Sequence, residues 1–295
     1  KNYSPDTVAA ICGIPADAIV QAARWFGASE ASLSLYCQGL NQSAHGTHNN
    51  AGIIHLHLAT GQIGKPGAGP FSLTGQPNAM GGREVGGLSN LLSAHRDLAN
   101  PEHRAEVARL WGIPEVPAKP GKAAVNLFQA LKTGEIKAVW IACTNPVQSL
   151  PNQAAVREAL QAAEYVVVQE TYGNTDTAAY ADLLLPASGW GEKHGTVTNS
   201  ERCITRVQSA FQAPGEARHD WEIVVDFARR LGHRLGRTDA ERLFPYGDAE
   251  SIFNEHREST RGRDLDITGL SYALLDARGP QQWPFPEGAD AGKIR

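Results

Sequence analysis

Residues 137–186 have the sequence KAVWIACTNPVQSLPNQAAVREALQAAEYVVVQETYGNTDTAAYADLLLP. Short apolar runs rich in Val, Ile and Leu alternate here with segments whose apolar residues recur at helical spacing. Consecutive apolar residues are typical of strands that are buried on both faces of a parallel sheet. The strands are predicted at 137–143, 165–169 and 182–186, and the helices between them at 151–162 and 176–180. We therefore predict an α/β fold with a parallel sheet flanked by helices.

The segments on either side of this unit add further elements. Ser4-Pro5 is a typical helix start and Gly13 a typical helix stop. Upstream, helices are predicted at 5–12, 15–26, 50–60, 88–95, 102–111 and 123–132, with a strand at 32–37. Downstream, an amphipathic helix is predicted at 220–231 and another helix at 249–258. Beyond Gly236 the periodicity weakens, so we expect an irregular C-terminal segment.

Composition and charge narrow the class of protein. The chain has 295 residues and a formal net charge of −4, from 27 basic and 31 acidic residues. This balance does not indicate a nucleic-acid-binding protein. No apolar run reaches the roughly 18 residues that a membrane-spanning helix needs. The opening KNYSPDTV resembles neither a signal peptide nor a transit peptide.

The cysteines and histidines do not form a metal-binding pattern. The four cysteines are far apart in the sequence, which favours buried thiols in a reducing compartment. His55 and His57 are two residues apart on a predicted helix and therefore face different directions. His45 and His48 precede them without a cysteine or carboxylate nearby, so no metal site is predicted.

Polar residues follow each strand of the predicted parallel sheet, where ligands of such sheets bind. Asn145 follows the first strand, Gln169 and Glu170 follow the second, and Lys193 comes shortly after the third. A carboxylate at this edge suits a ribose or the two adjacent N–H donors of guanine. Alternatively, Glu170 caps the next turn and Asn145 forms an Asx turn.

The glycine-rich run SLTGQPNAMGGREVGG, residues 72–87, is too rich in turn residues to form a core. Long loops of this kind are usually functional or disordered. Arg83, among glycines that allow a ligand close to the backbone, suits the binding of a small oxyanion. Alternatively, Arg83 ties down its own loop through backbone carbonyls. The common GxGxxG and GxxxxGK[ST] nucleotide motifs do not occur.

The chain resembles the central section of bacterial molybdopterin-dependent nitrate reductases, most closely the assimilatory type. The resemblance is carried by the following runs, in this order: GLNQSAHGTHNN, LATGQIGKPGAGPFSLTGQPNAMGGREVGG, ACTNPVQSLPN, VVVQETYGNTDTAAYADLLLPASGWGEKHGTVTNSER and QAPGEARHDWEIV. It is strong over residues 36–231 and weak at the two ends. The GQPNAMGGREVGG run is the specific one, since ADLLLP and GEKHGT also occur in formate dehydrogenases.

The resemblance implies a formate dehydrogenase/DMSO reductase-like fold that binds molybdenum bis(molybdopterin guanine dinucleotide). It implies that Gln38 and Gln42 lie near a pterin. The implied guanosine or phosphate contacts are Asn145, Gln169, Glu170, Lys193 and Asp220. Gln76, Met80 and Arg83 are implied to approach the metal and the nitrate funnel. The implied reaction is the two-electron reduction of nitrate to nitrite, with electrons arriving from an unidentified donor.

The resemblance also implies parts that this chain does not contain. In the family an iron–sulfur cluster and the cysteine ligand of molybdenum lie upstream, and a further domain follows downstream. We expect residues 1–37 to be the tail of one nucleotide-binding domain, 38–200 a second such domain, and 201–295 a connecting segment. The isolated chain is expected to be inactive. The alternatives are a formate dehydrogenase-like enzyme and a non-catalytic scaffold subunit of the same fold.

Overall fold

The computed structural model describes residues 2–292, which fall into two compact units divided between Pro77 and Asn78. This division differs from the predicted boundaries at residues 37 and 200, and the domain organisation of a complete cofactor enzyme stays a prediction. Within the described residues no single helix is long and apolar enough to cross a membrane. Among these residues, one pair of consecutive helices, Pro5–Cys12 and Ala16–Ala28, reaches that length and apolar composition when the two are taken together, and the pair is bent by 110°.

Unit one contains four helices and a pair of parallel strands. Its elements are α1 (Pro5–Cys12), α2 (Ala16–Ala28), β1 (Leu33–Tyr36), α3 (Gln38–Asn41), α4 (Gly46–Ala59) and β2 (Gly69–Ser72). The predicted start and stop of α1 are confirmed: the Ser4 hydroxyl accepts from the Thr7 N–H, and Gly13 has φ 68°. On α4, His57 is fully buried and hydrogen-bonded through Nε2 to Ser34 Oγ at 2.8 Å. His55 is exposed, as the predicted helical spacing requires.

Unit two is built around the predicted parallel sheet. Its order is β5 (Ala138–Ala142), β6 (Tyr165–Glu170), β7 (Leu183–Pro186), all parallel. Helices α7 (Ala124–Lys132) and α9 (Gln153–Ala162) contribute to one apolar cluster with residues of β5 and β6. Its buried members are Phe128, Leu131, Ile141, Val147, Val156, Ala159, Leu160, Val166 and Val168. Elsewhere Trp140 on β5 meets Phe227 edge to face, with ring centroids 4.9 Å apart.

Unit two contains further helices and strands outside this sheet. They are α5 (Ala79–Glu84), β3 (Leu91–Leu92), β4 (Arg96–Asp97), α6 (Pro101–Trp111), α8 (Pro146–Ser149), β8 (Gly195–Thr198), β9 (Cys203–Val207), α10 (Asp220–Arg234), α11 (Ala240–Leu243), α12 (Ala249–Ser259), α13 (Tyr272–Arg278) and β10 (Gln281–Gln282). The predicted helix at 176–180 is a single 3₁₀ turn, Ala178–Tyr180. Strands β8, β9 and β10 form an antiparallel sheet that was not predicted.

The helix predicted at 88–95 is wrong. The chain forms a short antiparallel hairpin there, with Leu91 opposite Asp97. Ala94 and His95, at the turn, have φ of 58° and 56°, which a right-handed helix cannot contain. The turn is held from outside the segment, because the Ala94 N–H donates to the Glu84 carbonyl at 2.7 Å.

The C-terminal segment has few regular elements, as expected, but it supplies most of a buried core. Leu265, Ile267, Leu270 and Phe285 are each at most 1% exposed. They pack with Phe253, Tyr272, Leu275 and Trp283 in one cluster. Periodicity could not indicate this core, because its members come from turns and short elements that meet only in the folded chain.

Candidate functional site

Three predicted site residues meet at the carboxyl ends of the parallel strands. Gln169 Nε2 donates to Asp220 Oδ1 at 2.7 Å, and Lys193 Nζ donates to Asp220 Oδ2 at 2.5 Å. The Gln169 side chain is buried, while those of Lys193 and Asp220 are 31% and 29% exposed. A half-buried carboxylate is thus held between an amide and a cation at the edge where ligands of such sheets bind.

Local structure places each member of this cluster. Gln169 is the penultimate residue of β6, and Lys193 follows the 3₁₀ turn Trp190–Glu192. Asp220 is the first residue of α10, where the helix dipole favours a negative charge. The preceding residue, His219, is the N-cap of α10. Its N–H donates to Glu222 Oε2 at 3.2 Å, and its Nδ1 is hydrogen-bonded to Ser188 Oγ at 2.8 Å.

The electrostatics of the cluster keep the carboxylate ionised. Burial acts to raise the pKa of Asp220, but the hydrogen bonds from Lys193 and Gln169 outweigh it and lower that pKa below its usual range. A thiol that was not predicted as a site residue also joins the cluster, since Cys143 Sγ donates to Asp220 Oδ1 at 3.3 Å. The prediction of buried thiols is wrong, because Cys12 and Cys143 are exposed and Cys37 and Cys203 are only partly buried. Desolvation, and then the nearby Asp220 carboxylate, raise the pKa of Cys143 to about 11.

Two further predicted residues contact the loops that follow the strands. Glu170 makes the local turn contact given as its alternative above, whereas Asn145 contacts Thr177, 32 residues away, and does not form the Asx turn. Glu170 Oε1 accepts from the N–H groups of Thr171 and Tyr172, at 2.7 and 3.4 Å. Asn145 Oδ1 accepts from the Thr177 hydroxyl at 2.5 Å and from its N–H at 3.2 Å. Both therefore brace the loops that follow the strands, and Glu170 keeps its second carboxylate oxygen without a hydrogen bond among the described residues.

The end of the glycine-rich run is held by Glu84 rather than by Arg83. Glu84 is 3% exposed, and its carboxylate accepts from Thr198 Oγ1 at 2.8 Å and from Trp283 Nε1 at 2.5 Å. Arg83 is exposed, and its guanidinium finds no partner within residues 2–292. The alternative in which Arg83 ties down its own loop is therefore wrong. Helix α5 thus carries a guanidinium that has no partner among these residues. Met80, on the same helix, packs against the C-terminal core.

The other predicted site residues belong to unit one. Gln38 begins α3 and is half-buried, whereas Gln42 and Gln76 are exposed. The Gln42 N–H donates to the Gln38 carbonyl at 2.8 Å, so these two residues are neighbours on one turn. Their relation to a pterin stays a prediction.

No local pattern in the sequence points to the two unpredicted groups of this site. His219 does not match a capping box, which begins with Ser or Thr. The place of Cys143 beside Asp220 depends on a left-handed backbone, φ 59°, and on a partner 77 residues away.

An α/β unit with a charged cluster at the carboxyl ends of its parallel strands has the layout of nucleotide- and cofactor-binding proteins. The chain belongs to the molybdopterin oxidoreductase family, whose model matches residues 4–230. This match includes the sheet and the Gln169–Lys193–Asp220 cluster. The family implies a molybdopterin cofactor.

Relatives and a solved structure agree with this assignment. The chain is 46% identical over 285 residues to a nitrate reductase of Synechocystis, covering 96% of this chain and 39% of that protein. It is 38% identical over 279 residues to the assimilatory nitrate reductase catalytic subunit of Bacillus subtilis, covering 94% and 38%. The structure of acetylene hydratase from Pelobacter acetylenicus matches 98% of this chain and 40% of that chain, with a TM-score of 0.59 and 20% identity, which shows the shared fold.

The residues at the strand ends fit a polar cofactor. Asp220 presents acceptors for N–H donors, and Lys193 supplies a positive charge of the kind that binds phosphate. The buried Gln169 Oε1 makes no hydrogen bond, so the cluster keeps an acceptor that the protein itself does not satisfy. The chain spans about two fifths of the length of these relatives.

Proposed function

We propose that this chain is part of the cofactor-binding portion of a molybdenum-dependent nitrate reductase. The relatives named above support this proposal, together with the charged cluster at the strand ends. The proposed cofactor is molybdenum bis(molybdopterin guanine dinucleotide). When bound, it supplies the oxygen-atom transfer and two-electron chemistry that reduce nitrate to nitrite, and the protein supplies binding and orientation.

The strand-end cluster is proposed to bind the guanosine end of one dinucleotide. Asp220 accepts from the two adjacent N–H groups on the guanine edge, a match that adenine lacks. Lys193 holds Asp220 and lies within the same site, where its charge attracts the phosphates. Gln169, Glu170 and Asn145 line the pocket and hold its loops in place.

The reacting end of the cofactor is assigned to other residues. Gln38 and Gln42, which both lie in unit one, are proposed to contact a pterin. Gln76, Met80 and Arg83 are proposed to approach the metal and nitrate. The unpaired guanidinium of Arg83 supports this role, because a free cation raises the local concentration of a small anion.

The remaining parts of the enzyme are proposed to come from outside these residues. An iron–sulfur cluster in the longer protein delivers electrons from a donor, and no nucleic acid or membrane takes part. The proposed location is the cytoplasm, as expected from the resemblance to assimilatory enzymes. The 295-residue chain alone is proposed to be inactive with nitrate.

The observation that carries this proposal is the clamped Asp220 carboxylate, and a calorimetric titration tests it. Purified chain is titrated with GDP and, separately, with ADP. We expect selective binding of GDP, lost in Asp220→Ala and weakened in Glu170→Ala. Asp226→Ala, an exposed carboxylate on the same helix α10, is the matched control and should leave binding unchanged. Equal binding of GDP and ADP, or none of either, contradicts a guanosine pocket in this chain.

A further inference from the structure

The Asp220 carboxylate is nearly saturated before any ligand arrives. Oδ1 accepts from Gln169 Nε2 and from Cys143 Sγ, while Oδ2 accepts from Lys193 Nζ. A carboxylate offers about four acceptor positions, two on each oxygen. Oδ1 is therefore full and Oδ2 has one position left. A base edge with two adjacent donors needs one position on each oxygen, so one of the present donors to Oδ1 must leave.

The two donors to Oδ1 differ in how readily they can leave. Gln169 is 1% exposed, and its Oε1 already lacks a partner, so releasing its Nε2 would leave a whole buried amide unsatisfied. Cys143 is exposed, and its thiol is a weak hydrogen-bond donor. Its pKa of about 11 keeps the proton on sulfur at neutral pH, so it acts there as a donor.

The backbone holds the thiol in this position. Cys143 follows β5 with φ 59°, a left-handed conformation that residues other than glycine rarely adopt. Its N–H donates to the Gln169 carbonyl at 3.1 Å, which extends the β5–β6 ladder by one residue. The ladder therefore ends with the side chain of Cys143 beside Asp220.

We propose that the Cys143 thiol is a displaceable donor that occupies the acceptor position on Asp220 Oδ1 which a guanine base takes over. This inference rests on the proposed guanosine pocket and deepens it. Cys143 acts through Asp220 and thereby sets guanosine affinity. When the nucleotide is absent, the thiol donates a hydrogen bond to the carboxylate. This hydrogen bond must be broken when the nucleotide binds, and that lowers the affinity for the nucleotide.

Calorimetric titration of the 295-residue chain with GDP at neutral pH tests the inference. Cys143→Ala removes the competing donor, and binding should become about two- to fivefold tighter, as expected for a weak hydrogen bond that no longer has to be broken. Cys143→Gly also removes the thiol and suits the positive φ, so it should tighten binding in the same direction and serves if the alanine variant folds poorly. Cys12→Ala, an exposed cysteine in unit one, is the matched control.

A spectroscopic readout separates competition from a merely structural effect. The S–H stretching band of Cys143, obtained as the infrared difference between wild type and Cys143→Ala, should move to higher frequency on adding GDP. Such a shift means that the thiol has lost its acceptor. An unmoved band, or weaker or unchanged GDP binding in both variants, overturns the inference.

The proposed function fails in a different way. If wild type does not bind GDP, the guanosine pocket and this inference are both overturned. If wild type binds GDP and Asp220→Asn does not, the pocket stands. Unchanged affinity in both Cys143 variants then overturns the inference alone.

Discussion

Asp220 illustrates how single side chains define this site. A carboxylate in a half-buried position loses hydration and stays ionised only if donors replace the water. Lys193, Gln169 and Cys143 provide those donors from three separate segments, which are the end of the 3₁₀ turn before β8, the end of β6 and the end of β5. These hydrogen bonds keep Asp220 ionised, as a ligand-binding carboxylate requires, and they also stabilise the fold.

Asp220 should contribute to stability in a pH-dependent way. Its pKa in the folded chain lies below the usual 3.8, so the contribution is present above that value and is lost as the pH falls through the folded-state pKa. Asp220→Asn should lower the free energy of unfolding at neutral pH by about 1–3 kcal/mol, because Lys193 loses its partner. Chemical denaturation at neutral and acid pH measures this. A difference between variant and wild type that grows toward acid pH would contradict it.

Glu84 should behave in the opposite way. Burial outweighs its hydrogen bonds from Thr198 and Trp283 and raises its pKa above the usual 4.5. The contribution of Glu84 to the free energy of unfolding is therefore fully present below pH 4.5 and is lost as the pH rises through the folded-state pKa. Glu84→Gln should abolish this decline, which thermal melts at several pH values detect.

Glu84→Ala should destabilise the fold by about 2 kcal/mol, since it leaves the buried Trp283 N–H unsatisfied. Equal stability of the two variants would contradict this assignment.

At the level of elements, the glycine-rich run contains helix α5 and has specific steric demands. A side chain at Gly86 would lie 2.6 Å from the Leu92 carbonyl carbon, and the residue has φ 83°. Gly82, in α5, has open space around its missing side chain. The run therefore contains glycines that the backbone requires, such as Gly86, and others that it does not, such as Gly82.

This contrast gives a matched pair of variants. Gly86→Ala should lower the free energy of unfolding by about 2 kcal/mol or more, because both the left-handed φ and the contact with the β3 backbone oppose it. Gly82→Ala should be neutral or stabilising by about 0.5 kcal/mol, from its higher helix propensity. Thermal denaturation of both variants measures the difference. Similar melting temperatures would show that the run does not pack as described.

At the scale of the whole molecule, the buried apolar side chains are unevenly distributed. Among the described residues, those that form the core begin at Ala94 and continue to Phe285. In unit one, Leu33, Leu35 and Phe71 on the two parallel strands are about half exposed. Parallel strands are normally covered on both faces, and two strands alone are marginal in water.

The two units should therefore differ in their ability to fold alone. A fragment of residues 78–295 should unfold cooperatively, because it keeps all three apolar clusters. A fragment of residues 1–77 should be largely unfolded in isolation. Circular dichroism and amide exchange of the two purified fragments test this. Slow amide exchange across α4 and β1 in the short fragment would contradict it.

The sequence by itself determined the α/β sheet, most of its helices and the positions of Gln169 and Lys193 near the strand ends, whereas Asp220 was expected only from the family resemblance. Apolar periodicity and helix-capping residues are local, so they can be recognised without knowing the fold. Only the tertiary structure decided the hairpin at residues 91–97, the core formed by the C-terminal segment, the anchoring by Glu84 and the place of Cys143. These features depend on contacts between residues far apart in the chain, such as Glu84 with Trp283, and no local pattern records such contacts.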